Sequence, residues 1–363
     1  MKILNVVGAR PNFMKIAPIQ REMKKYPALT PLLVHTGQHY DEKMSKLFFQ
    51  DLNLPEPDVY LGVGSGTHTE QTARIMLSFE KVLETHKPDL VVVVGDVNST
   101  AACSLVSAKM QVKIAHVEAG LRSFDRTMPE EINRMITDIL SEYLFVTEKS
   151  GLVNLKREGI PDQKVYFTGN VMIDSLVHFL KKAGESTILS DLQINSDPYT
   201  LVTLHRPSNV DVRENLISLI SVFEDIAAHG KIVFPMHPRT KKMMMSYGLS
   251  DRAAAISNLI ITEPIGYLDF MQLMQHAHLV LTDSGGIQEE TTYLQIPCLT
   301  VRENTERPVT IEVGTNQLLG TDAQKISAAA QKIFAGEKRK GSIPELWDGH
   351  AAERIVKILA EKN

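Results

Sequence analysis

The chain has 363 residues, with 39 Lys and Arg against 43 Asp and Glu and a net charge of −4. This length predicts two domains, each long enough to bury a core of its own. The balanced charge, with one dense basic run at residues 338–340, argues against a nucleic-acid partner. Cys103 and Cys298 are the only cysteines and lie far apart, which suits a reducing compartment and excludes a cysteine-based zinc site.

No apolar run approaches the roughly 20 residues that a membrane-spanning helix needs. The apolar run at the amino terminus is short and is broken at residues 8–10, so it predicts a buried strand rather than a signal peptide. We therefore expect a cytoplasmic protein with no membrane partner.

Short apolar runs alternate with amphipathic stretches along the first half of the chain. The apolar runs predict strands buried on both faces, at residues 2–8, 31–37, 89–96 and 112–118. Residues 69–86 carry apolar side chains at helical spacing, and Pro88 marks the end of that helix. This repeated β-α-β order predicts a doubly wound parallel sheet with right-handed crossovers.

The same order restarts in the second half of the chain. Strands are predicted at residues 200–205, 231–237, 258–262, 278–283 and 296–301, and the polar, turn-rich segment 183–198 is the predicted linker. The fold class is therefore α/β, with two Rossmann-like doubly wound domains over residues 1–182 and 183–350 and a final helix over 351–363. Two such domains that face each other bind ligands in the cleft at the carboxyl ends of their strands.

Polar residues follow the predicted strands in both halves. The set comprises Arg10, Lys15, Asp96, Glu118, Arg122, His205, Arg206, His237, Arg239, Asp283, Ser284, Gly285 and Gly286. Taken singly, Asn98, His237 and Asp283 are explained by helix capping or by a scaffold hydrogen bond. Taken together, the cations and the Ser-Gly-Gly turn suit a diphosphate.

The stretch LTDSGGIQEE at residues 281–290 places that turn between a strand and a helix. This layout points backbone N–H groups and the positive end of a helix dipole at an anion. Glu289 and Glu290 follow within a turn, so two carboxylates stand beside a predicted phosphate cradle.

A second stretch rich in charged residues is HVEAGLRSFDRTMPEEINR at residues 116–134. Pro129 suits the first turn of a helix, where Glu130 and Glu131 meet the positive end of the dipole. Glu130 and Arg134 are four residues apart, which by itself indicates only an ion pair worth ~0.2–0.5 kcal/mol. Because this stretch also follows a strand, we predict a site at Glu118 and Glu130, with Glu131 facing elsewhere.

Several classes of site are absent from the sequence. The first strand is not followed by G-x-G-x-x-G, and there is no P-loop, no H-E-x-x-H and no G-x-S-x-G. We therefore expect no nicotinamide, no other cofactor, no metal and no serine-hydrolase chemistry.

Together, the motifs resemble the non-hydrolysing UDP-N-acetylglucosamine 2-epimerases. The matching stretches run in family order from Met1 to Leu359 and are GARPNFMK, TGQHYD, GDVNST, HVEAGLRS, MPEEINR, TLHR, HPRT, LTDSGGIQEE and RENTERPVT. The resemblance implies two domains of the glycosyltransferase-B type facing a cleft, a homodimer, and a last helix that returns to the first domain. It also implies epimerisation of UDP-N-acetylglucosamine to UDP-N-acetylmannosamine at C2, supplying surface polysaccharide synthesis.

The resemblance also implies a role for each matched residue. UDP binds mainly to the second domain, with its diphosphate on Ser284, Gly285 and Gly286 and its ribose hydroxyls on Glu290. The remaining substrate-binding residues are Arg10, Lys15, Arg134, Arg307 and Phe270, the last beside the uracil. The catalytic set is Asp96, Glu118, Glu130 and His205, while Glu289 is structural.

The chemistry follows from the substrate. The C2 proton is not activated by a carbonyl, and no cofactor oxidises a neighbouring hydroxyl, so the resemblance implies elimination of UDP and its re-addition to a 2-acetamidoglucal. Two-faced proton transfer needs more than one acid/base group. Which of Asp96, Glu118 and Glu130 removes the C2 proton stays open at this stage.

Other functions also fit the motifs. A relative acting on a UDP-2,3-diacetamido uronic acid shares the wording SFDRTMPEE, although RENTERPVT favours plain N-acetylglucosamine. A hydrolysing epimerase, a catalytically silent UDP-sugar sensor and a glycosyltransferase of the same fold are further alternatives.

One segment departs from the pattern of family members that need UDP-N-acetylglucosamine as an activator. Those members carry glutamines where this chain has Asp41 and Ser45, and a longer loop before Met128 and Pro129. Arg74 matches another position of their activator site. Amides are poorly replaced by Asp or Ser where paired donors and acceptors hold a sugar, so we expect that no activator is required.

Overall fold

The computed structural model of the chain describes residues 1–38, 56–194 and 197–362. It divides into two compact units, one formed by residues 1–178 with the chain from Glu345 onward, the other by residues 179–344. The boundaries expected from sequence lie a few residues further along the chain in both cases.

The first unit is built on a parallel sheet in the strand order β3-β2-β1-β4-β5-β6-β7. Its strands are β1 (Lys2–Val7), β2 (Thr30–His35), β3 (Val59–Tyr60), β4 (Leu90–Val94), β5 (Lys113–Ala119), β6 (Tyr143–Val146) and β7 (Val165–Phe167). The strand order reverses direction between β1 and β4. In such a sheet, ligands are expected to bind at this point, outside the carboxyl ends of the strands.

Helices connect these strands. They are α1 (Arg10–Met23), α2 (His68–His86), α3 (Asn98–Lys109), α4 (Pro129–Leu140), α5 (Lys149–Arg157) and α6 (Val171–Ala183). Helix α2 shows why the sequence begins and ends them where it does: Thr67 and Glu70 form a capping box, and Lys87 takes a left-handed conformation before Pro88. Its apolar face, including Ile75 and Phe79, is buried with the strands in the core.

The second unit repeats this plan in the order β10-β9-β8-β11-β12-β13, again with parallel pairing. Its strands are β8 (Tyr199–Thr203), β9 (Lys231–Pro235), β10 (Leu259–Thr262), β11 (Leu279–Thr282), β12 (Cys298–Thr300) and β13 (Asn316–Leu318). Its helices are α7 (Ile188–Asp191), α8 (Pro207–Val210), α9 (Arg213–Ala227), α10 (Pro238–Ser246), α11 (Ser250–Ala254), α12 (Tyr267–His276), α13 (Gly285–Leu294), α14 (Val309–Glu312) and α15 (Ala323–Phe334). Here the reversal lies between β8 and β11.

The last helix, α16 (Ala351–Glu361), belongs to the first unit. Asp174 accepts hydrogen bonds from the backbone N–H groups of Ala351 and Ala352, which begin that helix. Trp347 is fully buried just before it and donates from its indole to the carbonyl of Thr147. A buried aromatic and a capped helix start therefore anchor the end of the chain.

The strands and the long helix predicted from sequence are confirmed within a few residues at each end. The short strands β3, β6, β7 and β13 were not predicted, because two to four residues carry too little periodicity. The segment predicted as the linker, residues 183–198, contains α7, and its Ile194 is buried in the apolar cluster of the second unit. No helix among the described ranges is long and apolar enough to cross a membrane.

Candidate functional site

The first unit brings Lys15 and Glu118 together at the reversal of its strand order. Lys15 lies on α1, directly after β1, and its Nζ is 2.6 Å from Oε2 of Glu118 at the end of β5. Both side chains are almost wholly buried. Glu118 has a positive φ of 75°, beside a shift in the strand register between Val117 and Ala119. A left-handed glutamate is uncommon, and strain of this kind concentrates at functional sites.

Asp96 lies beside this pair because of the glycine that precedes it. Gly95 has a φ of 66°, and a Cβ there would stand 2.8 Å from Nζ of Lys15. A side chain at this position would displace the lysine ammonium and hold a left-handed φ that glycine takes without cost. Asp96 then accepts from Nη2 of Arg134 at 2.5 Å, and its side chain is 22% exposed.

Glu131, which is predicted to face away from Glu118 and Glu130, is buried within the first unit. Its buried carboxylate lies 2.7 Å from Nη1 of Arg134 and accepts from Ser123 and from the backbone of Phe124. Glu131 thus ties the loop before α4 to the arginine that holds Asp96. Glu130 lies half-buried in the first turn of α4.

Arg10 begins α1 at the same edge of the sheet. Helix α1 follows β1, one of the two strands between which the strand order reverses, and it contains both Arg10 and Lys15. The first unit therefore collects Arg10, Lys15, Asp96, Glu118, Glu130 and Arg134 on the ends of β1, β4 and β5 and the helices that follow them.

In the second unit, Ser284, Gly285 and Gly286 open helix α13 directly after β11. Ser284 is the residue before the first helical position, and its N–H donates to Oγ1 of Thr282. A Cβ on Gly285 would lie 2.8 Å from Nη1 of Arg307. The glycine therefore lets a guanidinium lie over the positive end of a helix, an arrangement suited to an anion.

Buried carboxylates hold the arginines at this end of the sheet. Nε of Arg307 lies 2.8 Å from Oε1 of Glu289, which agrees with a structural role for that glutamate. Glu306 is 2.8 Å from Arg302, 3.7 Å from Arg206 and 3.8 Å from Arg307. Three guanidinium groups thus converge on one buried carboxylate.

Asp283 fixes the orientation of His205. Its buried carboxylate lies 3.0 Å from Nδ1 of His205 and accepts from the backbone of His205 and Arg206 and from Asn209. Burial alone would raise the pKa of Asp283, but these partners outweigh it and hold the pKa below its usual value. The His205 side chain is 42% exposed, so the pairing at Nδ1 leaves Nε2 on the opposite edge of the ring for a ligand.

His237 has the capping role expected from sequence. It precedes α10, and its Nδ1 accepts from the backbone N–H of Arg239. Its ring centroid lies 5.7 Å from that of His205.

Glu290 lies one turn beyond the glycines, next to Tyr267 of α12. The tyrosine hydroxyl donates to Oε1 of Glu290 at 3.0 Å. Burial raises the pKa of Glu290 to about 7, with Glu289 adding to the rise and Tyr267 opposing it. Phe270, one turn along α12, is half-buried and packs on the apolar cluster of this unit.

Over the ranges that the structure covers, no group of three or more His, Cys, Asp or Glu side chains could hold a metal ion. Asp41 and Ser45 lie outside those ranges. Arg74 donates to the backbone carbonyls of Val63, Ser65 and Glu70.

Comparison with known proteins identifies the family. A family model described as UDP-N-acetylglucosamine 2-epimerase matches residues 21–360. This chain belongs to the UDP-N-acetylglucosamine 2-epimerase family.

Within that family, the chain is 45% identical to the UDP-N-acetylglucosamine 2-epimerase of Methanocaldococcus jannaschii, over 99% of each chain. A crystal structure of the enzyme from that organism, in complex with UDP-GlcNAc and UDP, matches with a TM-score of 0.92 at 44% identity, covering 99% of this chain and 100% of that one. The UDP-2,3-diacetamido-2,3-dideoxy-D-glucuronate 2-epimerase of Pseudomonas aeruginosa is 38% identical over 99% of this chain and 100% of its own. These matches confirm the α/β fold with its two parallel sheets.

Sequence reasoning did not identify several residues that contact or neighbour the candidate site residues. Tyr267 does not directly follow a strand, and it meets Glu290 across 23 residues of chain. Arg302 lies two residues after β12 and pairs with Glu306 four residues along, so its position after a strand was an available signal. His116 and Asp138 form a buried pair whose members are an interior strand residue and a helix residue. A histidine in the middle of an apolar strand was the one available signal for that pair.

Proposed function

We propose that the chain epimerises UDP-N-acetylglucosamine and UDP-N-acetylmannosamine at C2. The observation that carries this proposal is the pair of carboxylates, Asp96 and Glu118, held by Arg134 and Lys15 at the strand reversal of the first unit. It is supported by the family match and by the M. jannaschii relative, whose crystal contains UDP-GlcNAc and UDP.

In this proposal the nucleotide binds to the second unit. The diphosphate lies at the start of α13, on Ser284, Gly285 and Gly286, under the guanidinium of Arg307. Glu290 accepts from the ribose hydroxyls, and Phe270 packs beside the uracil. His205 completes the set, because the pairing of its Nδ1 to Asp283 leaves Nε2 available for the ligand.

The reaction begins with removal of the C2 proton. A carboxylate takes that proton while the C1–O bond breaks, the electron pair of the bond leaves with UDP, and C1 and C2 become a double bond. Reprotonation of C2 on the opposite face and return of UDP to C1 complete the epimerisation. The cations stabilise the charge that develops on the departing diphosphate.

The carboxylates are suited to the two proton transfers. Glu118 lies 2.6 Å from Lys15 and Asp96 lies 2.5 Å from Arg134, so both carboxylates are held in place, and a carboxylate can accept a proton. Glu130, in the first turn of α4, supplies the third acid/base group. A charge-assisted hydrogen bond is worth ~1.5–3 kcal/mol, so losing one costs roughly ten- to a hundredfold in rate.

A single experiment tests the reaction. Incubation of the chain with UDP-N-acetylglucosamine in D2O is expected to yield UDP-N-acetylmannosamine with deuterium at C2. Epimerisation without deuterium, or no second sugar nucleotide at all, contradicts the proposal. Free N-acetylmannosamine would indicate a hydrolysing enzyme instead.

A second substrate is favoured by the relative from P. aeruginosa, which is named for a 2,3-diacetamido glucuronate. The same assay with that UDP sugar separates the two. A larger kcat/KM for the uronate would make it the natural substrate while leaving the elimination chemistry unchanged.

We also propose that the chain acts as a homodimer and supplies an N-acetylmannosaminyl donor for surface polysaccharide synthesis. The dimer is supported by α4, whose inner face is polar and whose outer face carries three exposed isoleucines: Ile132, Ile136 and Ile139. An exposed apolar stripe of this kind is typical of a protein–protein interface. The role in polysaccharide synthesis is tested by loss of the polymer on deletion of the gene.

A further inference from the structure

The end of β4 is clamped by groups that sequence reasoning left outside the site. The N–H of Gly95 donates to the carbonyl of Val117 at 3.0 Å. The carbonyl of Gly95 lies 2.8 Å from Nε2 of His116, and the carbonyl of Asp96 accepts from Nδ2 of Asn133 at 2.9 Å. Both peptide planes that flank Asp96 are therefore held from β5 and α4.

His116 is wholly buried and contacts an acceptor on each edge of its ring. Nε2 faces the Gly95 carbonyl, which can only accept, so Nε2 carries a hydrogen and donates it. Nδ1 lies 2.6 Å from Oδ1 of Asp138. Burial by itself would raise the pKa of Asp138, but His116 and Arg122 outweigh it and its pKa lies below the usual value. Asp138 is therefore a carboxylate to which Nδ1 donates.

The chain of contacts continues outward from Asp138. Its other oxygen lies 2.7 Å from Arg122, and Arg122 makes two hydrogen bonds to Glu158, whose side chain is 32% exposed. Each charge in this row faces an opposite charge, which is what allows ionised groups to be buried here. The row thus fixes the plane of the His116 ring against both rotation and exchange of its two nitrogens.

We propose that His116 is a positioning residue for Asp96 and acts by donating to the Gly95 carbonyl. Gly95 is in the left-handed region with a φ of 66°, and a Cβ added to it would lie 2.8 Å from Nζ of Lys15. Without the donor, the peptide between Gly95 and Asp96 loses the contact that sets its orientation. The Asp96 carboxylate then moves relative to the reacting carbon, and a shift of about 1 Å can cost ~100-fold in rate. This inference rests on the proposed function, in which Asp96 takes part in proton transfer.

Side chains of matched reach separate this role from a structural one. Glutamine places an amide N–H near the position of Nε2, whereas methionine has the same reach but no donor, and both lose the contact to Asp138. Asparagine places its N–H near the position of Nδ1, so it keeps the contact to Asp138 and loses the hydrogen bond to the Gly95 carbonyl. The three variants are His116→Gln, His116→Met and His116→Asn.

The readouts are the C2 deuterium exchange rate at saturating UDP-N-acetylglucosamine, the calorimetric Kd for UDP and the unfolding temperature. We expect His116→Gln to keep kcat within about fivefold of the wild type, and His116→Met and His116→Asn to lose roughly 10- to 100-fold. The Kd for UDP should stay within about twofold in all three, because the proposed nucleotide contacts lie in the second unit. If His116 had a merely structural role, the unfolding temperature would fall equally in the Gln and Met variants and would stay near the wild-type value in the Asn variant.

Equal rates for the Gln and Met variants, or an Asn variant close to the wild type, would overturn the inference while the wild type remains an epimerase. If the Met variant does not fold, the comparison of Asn with Gln decides in the same way. A wild-type chain that never exchanges C2 refutes the proposed function, and with it this role for His116.

Discussion

The hydroxyl of Tyr267 donates a hydrogen bond to Oε1 of Glu290, whose carboxyl group is buried in the second unit. Burial raises the pKa of Glu290 to about 7, so near neutral pH the group is divided between its charged and neutral forms. A group in that state responds to both pH and ligand.

UDP affinity should therefore fall on the acidic side of pH 7. In the proposed complex the ribose hydroxyls donate to this carboxylate, and its protonated form loses acceptor capacity. We expect the affinity of the wild type to drop by up to about fivefold between pH 7 and pH 6, measured by calorimetry. Glu290→Gln controls for titration of UDP itself: it should bind more weakly at pH 8 and show the smaller pH dependence. Equal pH dependence in the two proteins would remove Glu290 from the ribose.

The same group should make the unliganded chain less stable at high pH. Its folded pKa of about 7 lies above the ordinary value of 4.5, so its contribution to stability is fully present below pH 4.5 and is lost as pH rises through 7. Glu290→Gln removes a buried charge above pH 7 and should raise the free energy of unfolding at pH 8 by on the order of 1–3 kcal/mol. Urea unfolding at pH 8 and pH 5 checks this, since the gain should shrink at the lower pH. A variant less stable than the wild type at pH 8 contradicts the assignment.

The carboxylates of the first unit should separate chemistry from binding. Asp96→Asn, Glu118→Gln and Glu130→Gln keep shape and remove the charge that proton transfer needs. At least two of them should lose most of the C2 deuterium exchange while UDP still binds. Glu142→Gln, which breaks an exposed pair with Lys164, is the matched control and should behave as the wild type. Near-normal exchange in all three site variants would exclude the carboxylate mechanism.

Glu131 shows where sequence reasoning about this site reached its limit. The pattern identified a helix with acidic residues in its first turn, and that helix is present as α4. It could not reveal which acid turns inward, because Glu131 is drawn in by Arg134 and by donors in the preceding loop. Strand ends were predictable since a parallel sheet brings them to one edge. The buried charges behind that edge, such as Asp138, depend on tertiary contacts that no local pattern encodes.

The outer face of α4 should control assembly. Ile139 is 70% exposed and Ile132 48% exposed, so a charge between them at Ile136 disrupts an apolar contact without entering the core. We expect the wild type to sediment as the proposed dimer and Ile136→Glu to sediment as a monomer. Val153→Glu, at an exposed apolar position on α5, is the control and should leave the mass unchanged. A wild-type monomer, or an Ile136→Glu dimer, rules out α4 as the interface.

The last prediction concerns activation by the substrate. Arg74, which matches a position of the activator site in some family members, donates to three backbone carbonyls and so stabilises the turn at residues 63–66. A guanidinium used in this way has fewer donors for a second sugar nucleotide. We therefore expect the reverse reaction, started from pure UDP-N-acetylmannosamine, to proceed without a lag. Arg74→Lys should lower the unfolding temperature and leave the time course linear. If the wild type instead stays idle until a trace of UDP-N-acetylglucosamine is added, this chain has a functional activator site and Arg74 belongs to it.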